Sequence, residues 1–178
     1  MAPSGARKRA SHIVREAVAE DVETLVRHRH LMFEDIRPRK PEEHVAGDRI
    51  FRSWLKKMMR ERQVAFFVAS NGEGEIVASG GVWLRERQPH LADRAGPTPY
   101  VLSMYTVPAY RAKGYATSIL EKAEEWCRKR GFAIMSLHAS EMGRPLYSSL
   151  GWERTWEMEK KLGADERPKG GRSRPRQS

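Results

Sequence analysis

The stretch that decides the fold is Val107-Pro108-Ala109-Tyr110-Arg111-Ala112-Lys113-Gly114-Tyr115-Ala116-Thr117, which stands between a strand-like run and a helical one. The first N–H groups of a helix have no carbonyl partners, and the helix dipole adds about half a positive charge at that end. Gly114 lets the backbone approach a ligand without a Cβ in the way, and Arg111 and Lys113 add charge. Such a turn is suited to holding a pyrophosphate.

Taken alone, this turn has low specificity, because many strand–turn–helix junctions carry a glycine and two cations for solubility and turn geometry. It is also neither of the common nucleotide-binding signatures. The chain has no Gly-x-x-x-x-Gly-Lys-Ser/Thr and no Gly-x-Gly-x-x-Gly motif. The sequence therefore does not favour an ATPase or a dinucleotide-binding enzyme.

Hydrophobic patterning outward from the turn predicts a mixed α/β domain. The predicted elements are a strand at 12–16, a helix over 22–36 capped by Asp21, a helix over 42–60, a hairpin of strands 65–69 and 76–84 around Asn71-Gly72-Glu73-Gly74, a polar loop over 85–98, a buried strand over 100–107, a helix over 115–130, a strand over 132–138, a short helix over 143–150 and a final strand or two over 152–162. A strand, a crossover helix and a strand imply a parallel strand pair with a right-handed connection.

Two of these helices have a predicted apolar face. In the helix over 42–60 the face consists of Val45, Ile50, Trp54, Leu55 and Met58. In the helix over 115–130 it consists of Ala116, Ile119, Leu120, Ala123 and Cys127. Because Cys127 lies on that face, we expect it to be a core residue and not a nucleophile.

Length and composition are typical of a soluble globular domain with basic ends. The tails, residues 1–11 and residues 163–178, each carry a net charge of +3, which leaves +4 of the total +10 for the body. Both are poor in apolar residues, so we expect disordered tails around a single domain at 12–162. No apolar run approaches the roughly 20 residues that cross a bilayer. With one cysteine and no secretory segment, we expect a cytoplasmic protein that contacts no membrane and nucleic acid only weakly, through its tails.

A second motif, Leu146-Tyr147-Ser148-Ser149-Leu150-Gly151-Trp152, follows the stretch 107–117 about thirty residues later. Together these two motifs resemble the GNAT superfamily of acyl-CoA-dependent N-acetyltransferases. The resemblance covers residues 12–162. It implies a central mixed, mostly antiparallel sheet with a splayed parallel strand pair, flanked by helices on both faces. It also implies acetyl-CoA as co-substrate and a primary amine as acceptor.

The same resemblance assigns the site residues. It implies cofactor contacts for Met104, Tyr105, Thr106 and Val107 on the strand, for Arg111, Ala112, Lys113, Gly114, Tyr115, Ala116 and Thr117 in the turn and helix, and for Ser140, where many members carry asparagine. A backbone N–H near Met104 or Tyr105 would face the thioester oxygen. Tyr147 falls on the tyrosine that often lies near the thioester sulfur and can protonate the departing thiolate.

The general base is not evident, because the strand over 100–107 holds no acidic residue. His138, Glu141 and a water relay all remain open for that role. His28 and His30 would point to different faces of their predicted helix, so we expect no metal site. With no nucleophile in view, the resemblance implies direct acetyl transfer in a ternary complex.

The acceptor stays open among small amines, antibiotics, amino acids, protein N-termini and lysine side chains, and so does a homodimer. Two other functions also remain. One is a non-catalytic acyl-CoA-binding or sensing module on the same scaffold, against which the retained Tyr147 argues. The other is an RNA- or ribosome-associated protein that binds through its basic tails.

Overall fold

The computed structural model describes residues 12–36, 40–86 and 96–158, so the predicted tails at 1–11 and 163–178 and most of the loop over 85–98 lie outside it. Within these ranges five strands form one sheet in their order along the chain. They are β1 (Ile13–Glu16), β2 (Val64–Ser70), β3 (Ile76–Arg85), β4 (Thr98–Thr106) and β5 (Ser136–Leu137). Neighbouring strands are antiparallel except β4 and β5, which are parallel. The predicted mixed, mostly antiparallel sheet is confirmed.

Helices cover both faces of this sheet, as expected. They are α1 (Val22–Ile36), α2 (Pro41–Arg60), α3 (Tyr115–Lys129) and α4 (Arg144–Ser149). One core lies between the sheet and α1 and α2, and a second lies between the sheet and α3. Phe66 and Phe67 of β2 show the division, because successive strand residues point to opposite faces. Phe66 belongs to the first core and Phe67 to the second, and each is 1% exposed.

The predicted apolar face of α2 was wrong at two positions. Val45 and Ile50 are each 68% exposed, whereas His44 and Phe51 are buried. Each wrong residue is adjacent to a buried one, and one residue turns a helix by about 100°, which is enough to move a side chain from the core to the surface. Trp54, Leu55 and Met58 do pack against the core, as predicted.

Two strand predictions near the C-terminus also fail. The strand expected over 132–138 is reduced to Ser136–Leu137. Its apolar residues Phe132, Met135 and Leu137 pack against the α3 core, so the apolar run reflects side-chain burial more than strand pairing. No strand forms over 152–158, and the rest of the final predicted segment lies outside the described residues.

Asp21 does not cap α1 as predicted. It ends a short 3₁₀ turn, Ala19–Asp21, that leads into the helix. Its carboxylate accepts a hydrogen bond from the Val18 N–H at 2.8 Å and pairs with the Arg15 guanidinium at 2.6 Å. This guanidinium holds the pKa of Asp21 below its usual value.

Two glycine substitutions, one in the strand pair of β2 and β3 and one inside α2, should change stability in opposite directions. In Gly81→Ala the added Cβ would come within 2.8 Å of the buried Phe66 ring, so we expect stability to fall by about 1–3 kcal/mol. In Gly47→Ala, inside α2, nothing lies within 4 Å of the new Cβ, and stability should rise by about 0.5–1 kcal/mol. Urea unfolding measures both. An undiminished stability of Gly81→Ala would contradict this strand register.

Candidate active site

A cavity of about 840 Å³ opens where β4 and β5 separate. Its walls come from the last turn of α1, most of β4, the turn that leads into α3, and the segment from His138 to Tyr147. The volume falls in the range of roughly 300–1,000 Å³ that ligand and cofactor pockets usually have. Three separate segments of the chain thus meet at the turn singled out in the sequence.

Inside this cavity β4 has a free edge. Its parallel pairing with β5 is limited to Tyr100 with Ser136 and Val101 with Leu137. Beyond Val101, β4 continues to Thr106 with only β3 beside it. An unpaired strand edge offers backbone donors and acceptors to an extended ligand, as in strand addition by peptides. The splayed parallel pair expected from the sequence is therefore present, although β5 is very short.

A bulge interrupts β4 along this free edge. Ser79 pairs with Tyr105 and Gly81 with Leu102, so two residues of β4 stand opposite Gly80. One of them, Ser103, has a φ of 52°, in the left-handed region that L-residues rarely adopt. A Cβ on Gly80 would overlap the Met104 side chain, so the glycine makes room for it. Bulges re-aim the groups of a strand and are common beside active sites.

The turn before α3 presents backbone N–H groups to the same cavity. After a 3₁₀ turn at Pro108–Tyr110, Ala112 and Gly114 adopt left-handed conformations, with φ of 59° and 90°. The Ser118 N–H donates to the Gly114 carbonyl at 3.0 Å. The N–H groups of residues 115–117 precede that bond and have no carbonyl of the helix to pair with. Concave runs of N–H groups that mix right- and left-handed residues bind anions.

Distant side chains hold this turn in place. The His12 Nε2 donates to the Lys113 carbonyl at 2.8 Å, and its ring stacks on Tyr115 at 3.8 Å between centroids. Tyr115 meets the Tyr110 ring edge-on, and the Tyr110 hydroxyl accepts from Asn71 at 2.9 Å. His12 precedes β1 and lies 101 residues from Lys113 in the chain. No pattern around the turn therefore pointed to it.

Arg111 does not extend freely into the cavity. Its Nε donates to the Thr106 carbonyl at 3.0 Å, and its guanidinium pairs with the Asp35 carboxylate near the end of α1. The two side chains are 36% and 31% exposed. An ion pair that is open to solvent is worth at most about 1 kcal/mol. An anionic ligand at the turn can therefore compete with Asp35 for Arg111.

The segment before α4 places Tyr147 on the cavity wall. The Gly143 N–H donates to the Ser140 hydroxyl at 3.1 Å, which fixes the start of the helix. A Cβ on Gly143 would lie 3.1 Å from the Tyr147 ring, so the glycine lets the ring pack closely. Burial raises the pKa of Tyr147 to about 12. The phenol therefore stays protonated at neutral pH and can act as a proton donor.

The two side chains considered as general bases lie in different surroundings. His138 lines the cavity, whereas Glu141 is exposed and does not line it. His138 stands between the Tyr100 hydroxyl, 2.6 Å from Nδ1, and the Glu157 carboxylate, 3.4 Å from Nε2. Burial raises the pKa of Tyr100. Sequence reasoning missed Tyr100 and Glu157, because neither stands near His138 in the chain.

Most of the predicted site residues meet around this cavity. The eleven that line it are Met104, Tyr105, Thr106, Arg111, Ala112, Gly114, Tyr115, Ala116, Thr117, Ser140 and Tyr147. Val107 and Lys113 do not line it. The Val107 N–H donates to the Val77 carbonyl at 2.9 Å, and the Lys113 ammonium lies 5.1 Å from the centroid of the Tyr110 ring. These contacts of Val107 and Lys113 lie outside the cavity lining, and the ligand roles of all the predicted site residues remain predictions.

The first helix contributes Met32 and Phe33 to the cavity. Arg29 does not line it, because its guanidinium lies 4.6 Å from the centroid of the Phe33 ring and 4.5 Å from that of Phe51. Glu34 lies 3.3 Å from the His30 Nε2. This end of the cavity is therefore mainly apolar.

His28 and His30 are separated, as the sequence indicated. His28 is fully buried, its Nδ1 lies 2.9 Å from the Ser79 hydroxyl, and burial lowers its pKa to about 4. His30 lies 2.7 Å from the Asp48 carboxylate, which raises its pKa. Among the described residues, no group of three or more His, Cys, Asp or Glu side chains could hold a metal ion. The described helices also include none long and apolar enough to cross a membrane.

Comparison with known proteins identifies a family for this chain and several similar structures. The model of the acetyltransferase (GNAT) family matches residues 24–152. A GCN5-related N-acetyltransferase from Ralstonia eutropha is 31% identical, with 85% of this chain and 99% of that chain covered and a TM-score of 0.77. A protein described as a predicted acetyltransferase, from Clostridium acetobutylicum and solved with acetyl-CoA, is 24% identical over 84% of this chain and 95% of that chain, with a TM-score of 0.73.

A more distant structure is the aminoglycoside N-acetyltransferase AAC(6')-Iy with a bisubstrate analogue of CoA and acetylneamine. It is 15% identical over 85% of this chain and 97% of that chain, with a TM-score of 0.62. At this identity the likeness shows a shared fold and not a shared acceptor. No protein of curated function matches the chain significantly.

Proposed function

The chain belongs to the GNAT acetyltransferase family, and we propose that it transfers an acetyl group from acetyl-CoA to a primary amine by direct attack in a ternary complex. One observation carries the proposal. The free edge of β4 leads directly into a turn with unpaired N–H groups, and both face one cavity with Tyr147. This arrangement suits a long ligand with amides in the middle and phosphates at one end.

We assign the parts of acetyl-CoA by their chemistry. The diphosphate lies on the N–H groups of residues 112–117, where the helix dipole favours negative charge. The pantetheine amides pair with the free edge of β4 from Leu102 to Thr106. This orientation brings the thioester to the bulge at Ser103 and Met104. Arg111 exchanges its contact with Asp35 for one with the diphosphate.

The reaction then needs an aligned carbonyl, a stabilised oxyanion and a protonated leaving group. Alignment of the two substrates contributes as much as about 7–11 kcal/mol to lowering the barrier. A backbone N–H near Met104 or Tyr105 donates to the thioester oxygen as it gains negative charge, and one such donor is worth about 2.7–4 kcal/mol. As the C–S bond breaks, Tyr147 gives its phenolic proton to the departing thiolate.

The diphosphate site is tested with a pair of variants in the first turn of α3. Thr117→Glu adds a carboxylate where the helix dipole favours one, so the fold should keep its stability, yet that charge repels a diphosphate. Thr117→Gln adds the same bulk without charge. We expect coenzyme A to bind the Glu variant at least about tenfold more weakly than the Gln variant, with a smaller difference at high salt. Calorimetry at two ionic strengths measures this. Equal affinities would refute the placement.

The role of Tyr147 is tested by Tyr147→Phe. Because burial raises the pKa of Tyr147 to about 12, its proton is present throughout pH 7–9, so the loss should be uniform over that range. We expect kcat to fall by roughly 10- to 100-fold, at the low end of general-acid effects because a thiolate is a tolerable leaving group. The affinity for acetyl-CoA should not change. Release of free CoA thiol measures the rate, and an unchanged kcat would remove the acid role.

A further inference from the structure

We propose that Tyr100, His138 and Glu157 form a proton relay that deprotonates the attacking amine, with the Tyr100 hydroxyl in contact with the acceptor. The inference rests on the proposed function and supplies the base that the sequence did not reveal. Tyr100 and His138 both line the cavity, and a hydrogen bond of 2.6 Å joins them. Glu157 stands behind His138, away from the phenol.

The contacts fix the direction of the relay. The Glu157 carboxylate can only accept, and at 3.4 Å from the His138 Nε2 it favours the neutral ring that carries its proton on that nitrogen. The Nδ1 then has a lone pair, and the Tyr100 hydroxyl must donate to it across 2.6 Å. The phenolic oxygen also accepts from the backbone N–H of His138, which favours its deprotonated form, and its remaining lone pair can take a proton from the cavity. Both N–H and O–H donors of the relay thus point away from the acceptor amine.

The position of Tyr100 suits a group that meets the acceptor. It lies on β4 at the last paired positions before the free edge, opposite Ser136. Across β3 its register partner is Trp83, which packs against the core beneath α1 and α2. Tyr100 therefore faces the side of the sheet where Met32 and Phe33 line the cavity. Acetyl-CoA along the free edge of β4 and an amine beside Tyr100 would meet near the bulge at Ser103 and Met104.

The charges around Tyr100 favour proton passage without a lasting phenolate. The Arg85 guanidinium lies 4.5 Å from the centroid of its ring and favours negative charge on the oxygen. Burial acts the other way and raises the pKa of Tyr100, and Glu157 contributes in the same direction. The phenol is therefore protonated at rest. It releases its proton to His138 only as it receives another from the amine.

The proton balance is complete within the site. As the amine nitrogen bonds to the thioester carbon, its N–H becomes acidic, that bond breaks, and an Oη–H bond forms on Tyr100. The original Oη–H bond breaks and an Nδ1–H bond forms on His138. The imidazolium is then stabilised by Glu157. The relay is reset after the product leaves, when Tyr100 gives the Oη–H proton that came from the amine to water in the open cavity and the Nδ1 proton of His138 returns to the Tyr100 oxygen.

Competing bases are fewer than the sequence suggested. The cavity lining of the described residues contains one carboxylate, Asp35, and one imidazole, His138. Asp35 is engaged by Arg111. Glu141 does not line the cavity, and Glu34, also outside the lining, lies against His30. His138 with its two partners is thus the base that the described residues offer.

The test compares Tyr100→Phe, His138→Gln, their double variant and Glu157→Gln, with the exposed Glu153→Gln as the matched carboxylate control. The probes are acetyl-CoA and a fixed panel of primary amines: an arylalkylamine, a polyamine, an aminoglycoside, an amino-acid ester and a peptide with a free N-terminus. The readout is kcat/KM at pH 7.

In His138→Gln, kcat/KM at pH 7 should fall about 100-fold. Tyr100→Phe should lose about as much. The double variant should lose no more than His138→Gln alone, because residues that act as a unit are not additive. Glu157→Gln should lose less, Glu153→Gln nothing, and none should alter coenzyme A affinity. Unchanged rates or multiplicative losses would overturn the relay.

Nitrogen-15 NMR of the histidine rings tests the same geometry without activity or substitution of His138. We expect the proton of the neutral ring on Nε2, and a shift of the Nδ1 resonance in Tyr100→Phe. The other tautomer would overturn the relay. If wild type binds acetyl-CoA but acetylates no amine of the panel, the proposed function fails and the relay with it. Active wild type with unaffected variants overturns the relay alone.

Discussion

The separation of β4 from β5 after Val101 is the constraint on which the site depends. Only two residue pairs join these strands, so the outer backbone groups of β4 after Val101 are open to water or a ligand, except the Thr106 carbonyl, which accepts from Arg111. Backbone groups of this kind seek partners, and leaving one buried and unpaired costs about 1–3 kcal/mol. The separation also creates the cavity, and it places Tyr100 and His138 where the two strands begin to diverge.

Backbone strain is concentrated at the same place. Among the described residues, the non-glycine residues with positive φ are Arg62, Ser103 and Ala112, and the last two line the cavity. Conformations of this kind cost on the order of 1–3 kcal/mol each and persist only where the surroundings enforce them. Here the β4 bulge enforces the first, and the turn braced by His12 enforces the second. The cost is consistent with a backbone arranged to present its N–H groups.

Much of the fold could be predicted because it depends on patterns between residues that are close in the sequence. The hairpin around Asn71 and the helix that follows Gly114 are decided by turn residues and helical periodicity nearby. The predicted apolar face of α2 was wrong at Val45 and Ile50, because the apolar residues of this helix are compatible with more than one buried face. The side chains that complete the site could not be predicted in this way. His12, Asp35 and Tyr100 meet their partners across 101, 76 and 38 residues of chain.

Hydrogen exchange of individual backbone amides, with and without saturating coenzyme A, tests this view of the site most directly. Binding should slow exchange in two segments at once, residues 102–106 on the free edge of β4 and residues 112–117 in the turn, because the ligand pairs with those N–H groups. The amides of α2, on the other face of the sheet from α3, should be unaffected. If calorimetry shows binding while both segments exchange as before, the coenzyme lies elsewhere and the account is contradicted.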